Sequence, residues 1–90
     1  MKFISIHHGN LVAADRVVAV LNPQSSPVKR LIQTGRDEKR LIDASGGKKT
    51  KSVIITDSDH IILSSLQSQT LSKRLSDGAP DVITEDEDDE

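Results

Sequence analysis

Lys51-Ser52-Val53-Ile54-Ile55-Thr56-Asp57-Ser58-Asp59-His60-Ile61-Ile62-Leu63-Ser64 sets two apolar runs on either side of a polar triplet. Each run is rich in β-branched residues and too short for a convincing helix, so each reads as a strand. Aspartate and serine side chains bond nearby backbone amides, which suits 57–59 to a tight turn between strands at Lys51–Thr56 and His60–Ser64. Both runs are apolar at consecutive positions, so both faces of the sheet they build must be covered.

Working outward, Leu41–Ala44 reads as a third strand, with Gly46-Gly47 as the turn that leads into Lys51–Thr56. Before it, Ser26-Pro27 opens a helix, with serine as N-cap and proline at the first helical position. Val28, Leu31 and Ile32 form its apolar stripe, while Lys29, Arg30, Gln33 and Arg36 face elsewhere. Gly35 weakens this helix near its end, and Arg36, Lys39 and Arg40 gather where the macrodipole favours cations. Val17–Leu21, apolar on both faces, reads as a buried strand stopped by Asn22-Pro23. Lys2–Ile6 and Leu11–Ala13 are short extended segments separated by Gly9-Asn10, and a closing helix spans Ser68–Ser76 with Leu71 and Leu75 inward. The expected fold is α+β, a small and mostly antiparallel sheet with two short helices. Two helices cover one face of such a sheet, so the other face calls for a second copy and a homo-oligomer is expected.

Composition excludes a good deal. Ninety residues, 34% apolar and 29% charged, make one small domain. No apolar run is long enough for a membrane helix, and the opening residues lack a secretory stretch, so a cytoplasmic location is expected. Cysteine is absent, which removes disulfides, thiolate zinc sites and thiol catalysis. Phe3 is the one aromatic residue, so base-stacking platforms for single strands are missing. The net charge of −2 conceals two blocks. Residues 77–90 hold eight acids and no base, whereas residues 1–76 hold all twelve Lys and Arg against six acids. A body near +6 suits a polyanion, and the acidic block at 77–90 is expected to be a disordered tail. The tail is either a solubilising appendage or a nucleic-acid mimic that occupies the body's own cationic surface.

The richest candidate site is Gly46-Gly47-Lys48-Lys49-Thr50-Lys51, read as a basic hairpin, with Arg16 at the mouth of the second strand. Such a hairpin can lie along a duplex or enter a groove, and lysines at a sheet edge also discourage aggregation. His7-His8 on a strand would point to opposite faces, and no cysteine or nearby carboxylate completes a metal site there, so the pair is expected in an exposed turn. Asp57-Ser58-Asp59-His60 has letters for a hard cation, and the same letters make a turn. No nucleophile is paired with a base at a recognisable spacing, and no phosphate-binding or dinucleotide fingerprint is present. Neither an enzyme nor a cofactor, metal or small-molecule substrate is expected.

Together the segments resemble a known family. Lys2-Phe3-Ile4, Gly9-Asn10, Ala14-Asp15-Arg16, Asn22-Pro23-Gln24-Ser25-Ser26-Pro27-Val28-Lys29-Arg30, Leu41-Ile42-Asp43-Ala44, Gly47-Lys48-Lys49-Thr50-Lys51 and Asp57-Ser58-Asp59-His60-Ile61-Ile62-Leu63-Ser64 are similar to the RemA-like family. These are small bacterial regulators of extracellular-matrix genes, and the likeness runs collinearly over residues 2–75. It implies a double-stranded DNA-binding transcriptional regulator at 1–76 that assembles into a ring, with DNA contacts at Arg16, Lys48, Lys49 and Lys51. Pro27 matches a position the family needs, and its implied role is structural, to start the helix. The family's hairpin usually carries arginines where this chain has lysines, a tyrosine where Gly46 stands, and a glycine and an aromatic at His7-His8. Lysine is a point charge without arginine's bidentate fork, so binding dominated by phosphates is expected. The rival readings are a structural or protein-binding ring and, disfavoured by the missing aromatics, an RNA binder.

Overall fold

Two sheets and two helices account for residues 2–77, the part of the chain that the computed structural model describes. Strands β1 (Phe3–Ser5) and β2 (Leu11–Ala13) form an antiparallel pair. A short 3-10 turn at Ala14–Arg16 leads into β3 (Val17–Leu21), and α1 (Ser26–Asp37) follows. Then come β4 (Leu41–Asp43), β5 (Ser52–Thr56), β6 (Ile61–Ser64) and α2 (Ser68–Asp77). The main sheet has the order β3-β5-β6-β4. The α+β class and mostly antiparallel pairing agree with the sequence, although the strands divide between two sheets.

Residues 57–59 make the turn between β5 and β6, which pair antiparallel from Ser52↔Ser64 to Ile55↔Ile61. Asp59 takes a left-handed conformation (φ +66°) and donates its N–H to Thr56 O at 3.1 Å, closing the turn. Alternation along these strands sends neighbours to opposite faces. Ile54 and Ile62 join Ile4, Ile6, Val12, Ala44, Leu66 and Leu71 in one core layer. Val53, Ile61 and Leu63 join Val28 in the other, with Leu21, Leu31, Ile32, Leu41 and Ile55 packed around them. The helices therefore lie on opposite faces: α1 covers one, and α2 with the β1–β2 pair covers the other. The expectation that the second face needs another copy is overturned, because the chain's own N-terminal hairpin fills that place.

Three further expectations are corrected. Val17–Leu21 is an edge strand with Val18 bulged out and 65% exposed. The bulge has a physical purpose, since without it Val17 and Val20, three positions apart, would face opposite layers; both pack in the layer of Ile54. Leu41–Ala44 does not form a hairpin with β5. Instead β4 runs parallel to β6, which is inserted between the two, so residues 44–51 cross the end of β6. Finally, α1 starts at Ser26 with Ser25 as the cap, one residue earlier than expected, and no side chain caps it. Pro27 is exposed in the first turn, where its missing N–H costs nothing.

Gly35 is the point where α1 meets the sheet. A Cβ there would sit 2.5 Å from Ile61 Cδ1, so the helix lies this close only because the residue has no side chain. The helix then ends in a left-handed Lys39 (φ +60°), with Arg40 N–H donating to Gly35 O at 2.8 Å. On the other layer α2 is tied to β1, since Arg74 Nη1 donates to Ser5 O at 2.6 Å. The acidic block after Asp77 lies outside the described residues.

Candidate nucleic-acid interface

The lysine segment is a crossover loop anchored at both ends. Ala44 N–H donates to Leu63 O at 2.9 Å, and Lys51 N–H donates to Ser64 O at 2.8 Å. The loop must span two strand spacings, about 9.6 Å, to pass from β4 to β5 over β6. Its first turn is organised by Asp43, whose Oδ1 accepts from the Ser45 hydroxyl at 2.6 Å and the Ser45 N–H at 3.0 Å. These two bonds hold the Asp43 carboxyl below its ordinary value of 3.8, with Arg36 adding a weaker pull against partial desolvation. Lys48 N–H closes the turn on Ser45 O at 3.1 Å.

The loop also leans on the β1–β2 turn. Gly46 adopts φ +66°, and a Cβ on it would come within 2.6–2.7 Å of the His8 ring. His8 Nε2 lies 3.3 Å from Ser65 Oγ. Gly46 and His8, two of the positions where the sequence departs from the family pattern, are thus parts of a single contact. A small residue on the loop accommodates a ring from the hairpin. His7 and His8 sit in a turn, as expected; both have positive φ, and their rings meet edge to face at 5.3 Å.

Lys48 and Lys49 are exposed on this loop, and among the described residues neither is in an ion pair. Lys51 is half-buried at the entrance to β5. Arg16 closes the 3-10 turn and stands at the other end of the sheet, because β3 runs antiparallel to β5 from Val17↔Thr56 to Leu21↔Val53. Six residues of extended chain separate Lys51 from Asp57, so the lysine loop and Arg16 are about 20 Å apart. The structure gathers the lysines at one end and leaves Arg16 at the other.

Arg16 has a partner that sequence reasoning missed. Its Nε donates to Asp57 Oδ1 at 2.8 Å, and Asp57 N–H donates to Arg16 O at 2.9 Å. The β5–β6 turn carrying Asp57 is itself pinned. Ser58 Oγ lies 2.7 Å from His60 Nδ1 and 3.0 Å from Thr56 Oγ1, and Arg40 Nη1 donates to Asp59 O at 2.5 Å. Of the groups with the letters for a cation site, the Asp57 carboxylate is therefore occupied with Arg16 and the His60 imidazole with the turn.

Several apolar side chains remain open. Phe3 (56% exposed) and Leu11 (65%) lie on the outer face of the β1–β2 pair, opposite Ile4 and Val12. Ile42 (46%) lies on edge strand β4 beside Ile62. Among the described residues no helix is long and apolar enough to cross a membrane.

Comparison with known proteins gives a consistent result. The family model described as RemA-like, extracellular matrix regulatory protein A-like, matches residues 3–75. A Clostridium beijerinckii protein named "Putative regulatory protein" is 52% identical over 90 residues, spanning 100% of this chain and 98% of that protein. A protein of the same name from Moorella thermoacetica is 54% identical over 80 residues, covering 89% of this chain and 88% of its own length. Another, from Geobacillus thermodenitrificans, is 52% identical over 75 residues, covering 83% and 86%.

Proposed function

This chain belongs to the RemA-like family of regulatory proteins, and from that premise we propose that it is a duplex-DNA-binding transcriptional regulator of extracellular-matrix genes, acting as a ring of identical subunits. The observation that carries the reading is the crossover loop. Lys48 and Lys49 ride on a segment anchored at both ends, and no carboxylate among the described residues neutralises them. Anchoring lowers the entropy lost when a phosphate is bound, and two unneutralised cations release counterions from the duplex.

One subunit offers a small footprint, a lysine cluster and an arginine about 20 Å away by strand geometry. Repetition supplies what a single copy lacks, because each contact after the first is effectively intramolecular. The surfaces for self-association are the open edges of β3 and β4 together with Phe3, Leu11, Val18 and Ile42. Pro27 keeps a structural role in this reading, setting the first turn of α1.

The experiment replaces Lys48 and Lys49 by alanine in the full chain and measures binding to random-sequence duplexes, with light scattering alongside. The proposal requires weaker binding to all sequences alike and an unchanged oligomer. If the double substitution dissolves the oligomer, the loop is a subunit interface; if it leaves DNA affinity intact, the cations serve some other partner, such as an acidic protein surface.

A further inference from the structure

Arg16 differs from the lysines in a way that bears on which DNA is chosen. We infer that Arg16 reads a base edge and that Asp57 is the residue that orients it, so that this pair sets sequence preference while the lysine loop supplies general affinity. The inference rests on the DNA-binding reading above.

A carboxylate beside a phosphate-binding arginine is a liability, since it cancels the charge that attracts the duplex and repels the phosphate itself. It is an asset where geometry matters more than charge. Arginine carries five N–H donors in a planar fork, and free rotation of its long side chain opposes any single docking pose. In this structure Asp57 takes the Nε donor at 2.8 Å, which leaves the terminal nitrogens without a hydrogen-bond partner among the described residues. The Arg16 and Asp57 side chains are 54% and 48% exposed, so the fork stands in solvent with its base fixed. Asp57 is held in turn, by its own N–H on Arg16 O and by the Thr56–Ser58–His60 chain and Arg40 that brace the turn. Terminal nitrogens presented as a pair match O6 and N7 of guanine in the major groove.

A bidentate contact of this kind discriminates against the wrong base by about 5- to 150-fold. Lysine cannot reproduce the fork, so the other three cations contribute little to this choice.

The test is selection from a random duplex library with the full chain, followed by titration of the selected site and of versions altered one base pair at a time. Asp57→Asn and Arg16→Lys are measured in parallel, with thermal unfolding to confirm that each folds. The expected result is a selected site with one G·C pair whose replacement costs the wild type about 5- to 150-fold in affinity. Both variants should lose most of that preference. Affinity for unselected duplex is read alongside and should rise for Asp57→Asn, which removes a negative charge. A merely structural ion pair would lower the unfolding temperature and leave the preference intact, and that outcome overturns the inference. Binding of unselected duplex without enrichment of any sequence also overturns it, while sparing the DNA-binding reading. Absence of all duplex binding at low salt refutes both.

Discussion

Gly35→Ala offers a prediction in which local propensity and tertiary packing disagree in sign. Gly35 lies two residues inside the end of α1, where alanine is favoured over glycine by about 1 kcal/mol. On propensity alone the variant is more stable than the wild type. The structure opposes this, because the new Cβ would fall 2.5 Å from Ile61 Cδ1, more than 1 Å inside ordinary carbon–carbon contact of about 3.8 Å. Ile61 is only 1% exposed, so its Cδ1, α1 or the strand must shift within a packed layer, at about 1–3 kcal/mol. The net expectation is a loss of about 0–2 kcal/mol, a fall in Tm of up to about 15 °C for a domain of this size. The clash involves Cδ1, since Cγ1 and Cβ of Ile61 stand at 3.5 and 3.7 Å. Ile61→Val removes that one atom and costs about 0.5–1.5 kcal/mol by itself. In the Ile61→Val background Gly35→Ala should therefore become stabilising by up to about 1 kcal/mol, with a coupling of about 1–3 kcal/mol between the sites. Urea unfolding of the four proteins at one fixed concentration measures the cycle, with concentration held because association shifts apparent stability. A Gly35→Ala protein more stable than wild type, or additivity within about 0.5 kcal/mol, would refute the packing argument.

Other consequences follow from individual residues. Lys39 holds a left-handed conformation at the end of α1, where glycine is unstrained, so Lys39→Gly should stabilise by about 1 kcal/mol in the same unfolding assay. Asp43→Ala removes the two bonds that organise the lysine loop and should cost about 1 kcal/mol at pH 7. Because the folded Asp43 carboxyl titrates below its unfolded value, its contribution is complete above about pH 4 and is lost as pH falls through the folded value; unfolding curves of the two proteins should converge at low pH. Deleting residues 77–90, which carry eight of the fourteen acids, should tighten duplex binding beyond what bulk charge explains if the tail competes for the lysine loop. Equal affinities at physiological salt would leave the tail a solubilising segment.

Much of the fold is legible in the chain because its signals are local. The Asp-Ser-Asp turn and its flanking apolar runs give β5, β6 and their antiparallel pairing, and Ser-Ser-Pro before a helical stripe gives α1. The placement of β4 is not legible. Ala44 to Lys51 can close a hairpin or cross over a strand, and the difference depends on whether β6 slots between β4 and β5. The edge position of β3 escapes for a related reason: a strand apolar on both faces has no alternation to specify its register or its bulge. Register is also what would have placed Arg16 beside Asp57, since the two are 41 residues apart and meet only when Val17 pairs with Thr56. The lysine loop, by contrast, is visible in composition, whereas the distance between it and Arg16 emerges only from strand direction. The contact of His8 with Gly46 joins two segments that the sequence shows merely as unusual letters.

The proposed binding of duplex DNA chiefly through phosphates has a signature in its salt dependence. Titration of the full chain with a duplex at several salt concentrations should give a slope of log affinity against log salt near −5 if a bound site uses about six phosphate contacts. A slope near zero, or no measurable binding at about 50 mM salt, would rule out phosphate-dominated duplex binding.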